Sequence, residues 1–170
     1  PNRIAVLEAG PTPHYFGNTP FSEGDMVLFV QDNIGELRAD MEGEASAEFN
    51  REVEDVAIAL SAEAALPFQQ EADAQDSERI ERGRTALVKA FACTDCHKTG
   101  DQGDLGMAPD LTNYGSRDWL IDFLGNPGHE RFYSDRNVMP AFHEDPTTPE
   151  SNKLTRREVE LIVDWLRRDW

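Results

Sequence analysis

In residues 77–170 apolar side chains recur at three- and four-residue intervals, and no strand-like alternation of useful length interrupts them. Ser77 can cap a helix that carries Ile80, Gly83, Leu87 and Phe91 on one side. Ser116-Arg117-Asp118-Trp119 opens a second helix with Leu120, Phe123 and Leu124 apolar, and Asn126-Pro127-Gly128 stops it. Thr155-Arg156-Arg157-Glu158 reads as a capping box for a closing helix, whose Val159, Ile162, Val163 and Leu166 share a face with Trp165 beside them. The pattern predicts a small all-α unit. A glycine inside a helix costs about 1 kcal/mol against alanine, so Gly83 implies close approach by another backbone. The expected partner is the closing helix, which gives two crossing helices.

Upstream, a helix from Phe49 places Val53, Val56, Ala57, Leu60 and Ala64 on one stripe. Pro67, Gln69, Gln70, Glu71, Asp73 and Asp76 make 67–76 read as a linker, so the expected division is 1–66, linker 67–76 and a unit at 77–170. The formal net charge is −17, and residues 1–76 carry 3 basic against 16 acidic side chains. Such an acidic field repels nucleic acid and anionic lipid and would steer a basic protein partner; a surface tuned for solubility has the same composition. No apolar run approaches the roughly 20 residues that span a bilayer, Met26-Val27-Leu28-Phe29-Val30 being among the longest. The chain starts at Pro1 without a leader-like segment, which predicts processing or cutting from a longer precursor.

Composition changes the picture through two residues. The only cysteines stand in Cys93-Thr94-Asp95-Cys96-His97, and C-x-x-C-H is the attachment signature of a c-type haem. Two thiols add across the porphyrin vinyl groups, and the adjacent imidazole becomes the first axial ligand. A zinc site on the same pair needs two further ligands, and His14, His97, His129 and His143 form no compact pair. A thioredoxin-like dithiol wants a preceding strand in a βαβ context, whereas a helical pattern leads into Cys93. The expected cofactor is one covalent haem c, which also supplies apolar core that so short a unit lacks.

With these elements in place, residues 80–170 resemble the class I cytochrome c family. The resemblance rests on Gly83 and Phe91 before the motif, on CTDCH, on Ala108-Pro109-Asp110-Leu111 after it, and on Val138-Met139-Pro140 ahead of the closing helix. It implies that the Pro109 carbonyl orients the His97 imidazole and that Met139, the methionine before proline, is the second axial ligand. In such families haem attachment follows export, which implies a periplasmic or otherwise extracytoplasmic location. The stretches from Asp110 to Leu120 and from Asn126 to Tyr133 also resemble cytochrome c modules fused behind cytochrome b subunits in some bacteria. That narrower resemblance implies a respiratory, quinol-oxidising complex as partner, with membrane association through it.

Three side chains compete for the distal iron position. Met107 lies ten residues after His97, beside Pro109, whose segment should run along the proximal face. Met139 lies 42 residues on, past the middle helix, where Pro140 biases it toward an extended conformation. His143 is the third. Met139 is the expected ligand; without the haem motif, a buried core methionine would be the reading for each. His/Met ligation fills both axial sites and raises the reduction potential, so the expected function is electron transfer. Phe91, Leu111, Tyr114, Trp119, Leu120, Phe123 and Phe142 are the expected pocket residues, and Arg117, Arg131 and Arg136 the candidate donors to the haem propionates. The competing functions are the cytochrome subunit of a periplasmic dehydrogenase, a peroxidase if Met139 can leave, and a haem-based gas sensor. No catalytic triad, P-loop or dinucleotide fingerprint is found.

Within residues 1–66 the order of elements resembles the second half of the haem unit: Ile4-Ala5-Val6-Leu7, Gly10-Pro11, Tyr15-Phe16, Asp25-Met26, then the helix from Phe49. Arg51-Glu52-Val53-Glu54 is identical to Arg157-Glu158-Val159-Glu160. The segment is therefore expected to be the C-terminal half of a first cytochrome c unit whose haem-bearing half lies outside this chain, with Met26 a former or partnered axial ligand. Chance likeness between two apolar-striped helices is the alternative.

Overall fold

The computed structural model describes residues 24–143 and 152–169. His14 and the expected elements at Ile4-Leu7, Gly10-Pro11 and Tyr15-Phe16 lie outside these residues. Helix α1 (Asp25–Leu28) continues through a π-helical turn (Phe29–Gly35) into α2 (Glu36–Ala39), and α3 (Gly43–Glu63) follows. A 3-10 turn (Pro67–Gln69) leads to α4 (Gln70–Gln75) and then α5 (Ser77–Lys89). The cysteine motif forms a 3-10 turn (Cys93–Asp95); α6 (Arg117–Gly125), a further 3-10 turn (Ser134–Arg136) and α7 (Arg156–Arg167) complete the order. Among the described residues there is no strand, only an isolated bridge between Thr99 and Gln102, so the all-α expectation holds.

Local chemistry sets the helix ends as the sequence suggests. The Ser116 hydroxyl accepts the Trp119 N–H at 3.2 Å, and α6 stops at Gly125 with Asn126 beyond it. At α7 the Thr155 hydroxyl accepts the Glu158 N–H at 3.3 Å, while the Glu158 carboxylate accepts the Thr155 N–H at 2.7 Å. That reciprocal pair satisfies two otherwise orphan donors and holds the Glu158 carboxyl below its usual range.

Within the expected linker, residues 67–75 are helical. Gln69 is buried and binds both Ser61, at 3.0 Å, and Asp73, at 2.9 Å, fastening α4 to the end of α3. Met26, paired by the proposed repeat with loop residue Met139, sits exposed in the first turn of α1.

The structure overturns the expectation for Gly83. Its close neighbour is α3, not the closing helix: a Cβ built on Gly83 would fall onto the Asp55 carbonyl and lie 2.8 Å from the Ala59 Cβ. Charge explains the choice. Asp55 is buried and accepts from Arg79 at 2.7 Å and Arg82 at 2.9 Å, Arg79 also reaches Glu54 at 3.1 Å, and Arg84 reaches Glu63 at 2.9 Å. Aligning the shared tetrapeptides puts Leu161 of α7 where α3 has Asp55, and Trp165 where it has Ala59. Leu161 cannot answer the two arginines, and a Trp side chain cannot enter so narrow a crossing.

Helix α7 instead packs on α6, with Val159 and Val163 fully buried against Ile121, while Ile162, Trp165 and Leu166 stay exposed. Its C-terminus meets α3 through Arg167, which is buried and donates to the carbonyls of Ala64 at 2.7 Å, Gly115 at 2.8 Å and Ala65 at 3.3 Å. Arg117 clasps α6 to α7, binding Asp164 at 2.7 Å and holding that carboxyl below its usual range. Because the folded pKa is depressed, this contribution is complete above about pH 4 and is lost as pH falls through the lowered value. Both side chains are part-exposed, so the effect is small. Arg117→Ala should flatten the pH dependence of the denaturation midpoint on the acid side, and an unaltered slope would show the pair to be silent.

Candidate functional site

The motif turn follows directly from α5. Ala92 takes a left-handed conformation (φ 48°) that swings the chain out of the helix, and the N–H groups of Cys96 and His97 then close onto the Cys93 carbonyl at 3.3 and 2.8 Å. Cys93 is half-buried beside Phe49, Ala86 and Phe91, and burial pushes its thiol up; Cys96 is exposed. Gly103, at φ 73°, lets the next turn fold back on the motif, where a Cβ would strike the His97 carbonyl.

His97 Nδ1 lies 2.7 Å from the Pro109 carbonyl oxygen. A ring N–H donated there fixes the tautomer and leaves Nε2 as the lone-pair nitrogen. The strap carrying that carbonyl is tied down at every residue. Leu111 N–H binds the Lys98 carbonyl at 2.8 Å, and the Thr112 hydroxyl accepts the Gly100 N–H at 2.8 Å. Asp110 is buried, with its N–H on the Arg131 carbonyl at 2.8 Å. Its carbonyl accepts the Trp119 indole N–H at 2.8 Å, and its carboxylate accepts the Thr112 N–H at 2.8 Å and Arg131 Nε at 3.1 Å.

Three of the candidate pocket residues share one cluster, and the others lie elsewhere. Tyr114, Trp119 and Phe123 form one aromatic cluster with Phe132 and Tyr133: Trp119 stacks on Phe123 at 5.2 Å, Tyr114 meets Trp119 edge-on at 4.9 Å, and Phe132 meets Trp119 edge-on at 5.1 Å. Phe91 stands apart from them, edge-on to Phe49 of α3 at 5.7 Å. Leu111 is half-buried on the strap; Leu120 packs on the Ile121, Val159 and Val163 core, and half-buried Phe142 lies under the Lys153 ammonium.

Of the three distal candidates, Met139 is half-buried in a clamped loop. The Asn137 side chain accepts the Met139 N–H at 2.9 Å and donates to the Met139 carbonyl at 2.6 Å. Met107 is 61% exposed, and His143 is tied by its own N–H to the Gly125 carbonyl at 3.0 Å. The three arginines expected to serve propionates are each paired with carboxylates: Arg117 with Asp164, Arg131 with Asp110 and Asp122, and Arg136 with Asp25. Asn137, Asp55 and Arg167 carry no local signal in the sequence, whereas Asp110 stands inside the Ala-Pro-Asp-Leu run.

Two thiols on one turn, an adjacent imidazole with one nitrogen already committed, and a methionine loop held in place suit a covalently attached haem. The site thus defines a helical c-type haem protein. The family model for cytochrome c matches residues 80–170, more than half the chain, and the chain belongs to the cytochrome c family. No curated protein matches it, and no solved structure matches it. Membership brings a covalently bound haem c with iron, electron transfer through it, and redox partner proteins. Cytochrome c domains are typically extracytoplasmic, and no helix among the described residues is long and apolar enough to cross a membrane.

Proposed function

We propose that this chain carries electrons through one haem c bound by thioethers to Cys93 and Cys96, with His97 and Met139 as axial ligands, within or next to a respiratory cytochrome b-type complex on the periplasmic side. When bound, the haem supplies an iron that accepts and releases one electron. The protein's part is to present the two thiols and to fix the imidazole through the Pro109 carbonyl. It also holds Met139 between the two hydrogen bonds of Asn137. The observation that carries the reading is the 2.7 Å His97–Pro109 contact beside the two cysteines, because an Nδ1–H donated to that carbonyl leaves Nε2 with its lone pair for a metal. The acidic first 76 residues favour a basic protein as redox partner.

Membranes that hold the cytochrome b complex should reduce the haem of added holoprotein when quinol is supplied, and membranes lacking cytochrome b should not. Equal reduction by both would separate the chain from that complex.

A further inference from the structure

The Pro109–Asp110 peptide group is held at both ends. Its carbonyl faces His97 Nδ1 at 2.7 Å, and its N–H donates to the Arg131 carbonyl at 2.8 Å. Arg131 also grips the same residue through its side chain: Nε binds the Asp110 carboxylate at 3.1 Å, Nη1 binds Asp122 at 3.1 Å, and Nη2 approaches the Thr112 carbonyl at 3.4 Å. One guanidinium therefore spans the strap and α6, while Trp119 fixes the far side of Asp110 through its indole N–H. A buried aspartate held by so many donors cannot shift without dragging the peptide plane that faces the imidazole.

We propose that Arg131 is a positioning residue for the His97 ligand, acting through Asp110 on the Pro109 carbonyl and so on the reduction potential. This rests on His97 being the proximal axial ligand. A carbonyl well placed on Nδ1–H makes the imidazole more basic, and a more basic imidazole favours ferric over ferrous iron. Loosening the strap should raise the potential. Removing the positive charge of Arg131 would act in the opposite direction, so the informative change keeps the charge. A lysine ammonium is a point charge that cannot bind Asp110, Asp122 and the Thr112 carbonyl together as the planar fork does.

The test uses ferrous and ferric holoprotein. In Arg131→Lys the His97 Nδ1 proton, followed by NMR, should exchange with solvent about tenfold faster, as expected for one weakened hydrogen bond, and the midpoint potential should rise. Arg84→Lys, the same chemical change at the α3–α5 seam, should alter neither. Asp110→Asn keeps an acceptor for the Thr112 N–H but loses the ionic grip of Arg131, so its exchange should fall between wild type and Arg131→Lys. Wild-type exchange and potential in Arg131→Lys would overturn the proposal. His97 ring protons without the large ring-current shift of a haem ligand, already in the wild-type protein, would overturn the ligand assignment and the proposal with it.

Discussion

Replacing Met139 with alanine should lower the midpoint potential by on the order of 0.1 V, inside the ~0.8 V range that axial ligands command. It should also abolish the weak far-red sulfur-to-iron charge-transfer band and open the ferrous protein to carbon monoxide. The reason is chemical: a thioether stabilises ferrous iron and fills the sixth position, and alanine does neither. The choice of Met139 rests on how its loop is held. Asn137 accepts its N–H and donates to its carbonyl, and the residue is half-buried, whereas Met107 is 61% exposed beyond the Gly103 turn. Met107→Ala should accordingly leave the band, the potential and the carbon monoxide response unchanged. The reverse pattern, with the band surviving in Met139→Ala and disappearing in Met107→Ala, would move the ligand to Met107.

What the sequence displayed and what it hid divide along the range of the forces involved. Caps are local, so Ser116 and the Thr155–Glu158 box were legible: each bond joins residues three apart. The five-residue motif was legible for the same reason, its chemistry being written in adjacent positions. Gly83 announced a close approach correctly, because only a missing Cβ permits one. Its partner was not readable from apolar periodicity, since α3 and α7 both offer an apolar stripe and share a tetrapeptide. The choice is made by Asp55 answering Arg79 and Arg82, pairs separated by 24 and 27 residues that no local pattern encodes. The carboxylate partners of the propionate candidates were hidden for the same reason. The fold sets Asp164, Asp110 and Asp25 beside Arg117, Arg131 and Arg136, and no local pattern names these pairs.

The α3–α5 seam gives the second large expected effect, a loss of about 2 kcal/mol of stability in Gly83→Ala from overpacking the crossing. Two terms oppose one another. Alanine in a helix interior gains up to ~1 kcal/mol over glycine, whereas inserting a methyl group into a tight contact costs roughly 1–3 kcal/mol. Here the atoms in the way are the carbonyl carbon and oxygen of Asp55, which are backbone and cannot rotate aside, so the cost takes the upper end of its range. Spreading the helices would also stretch the Asp55 bonds to Arg79 and Arg82 and separate Phe49 from Phe91. Urea denaturation of the holoprotein should show the midpoint falling by about 1 M, given slopes of ~1–3 kcal/mol per molar for chains of this size. Gly35→Ala is the internal control. That glycine is helical and a Cβ there meets only the Val30 carbonyl at an ordinary 3.5 Å, so the substitution should be neutral or stabilise by up to ~1 kcal/mol. If Gly83→Ala behaved like Gly35→Ala, α3 would not be the helix seated on α5 in solution.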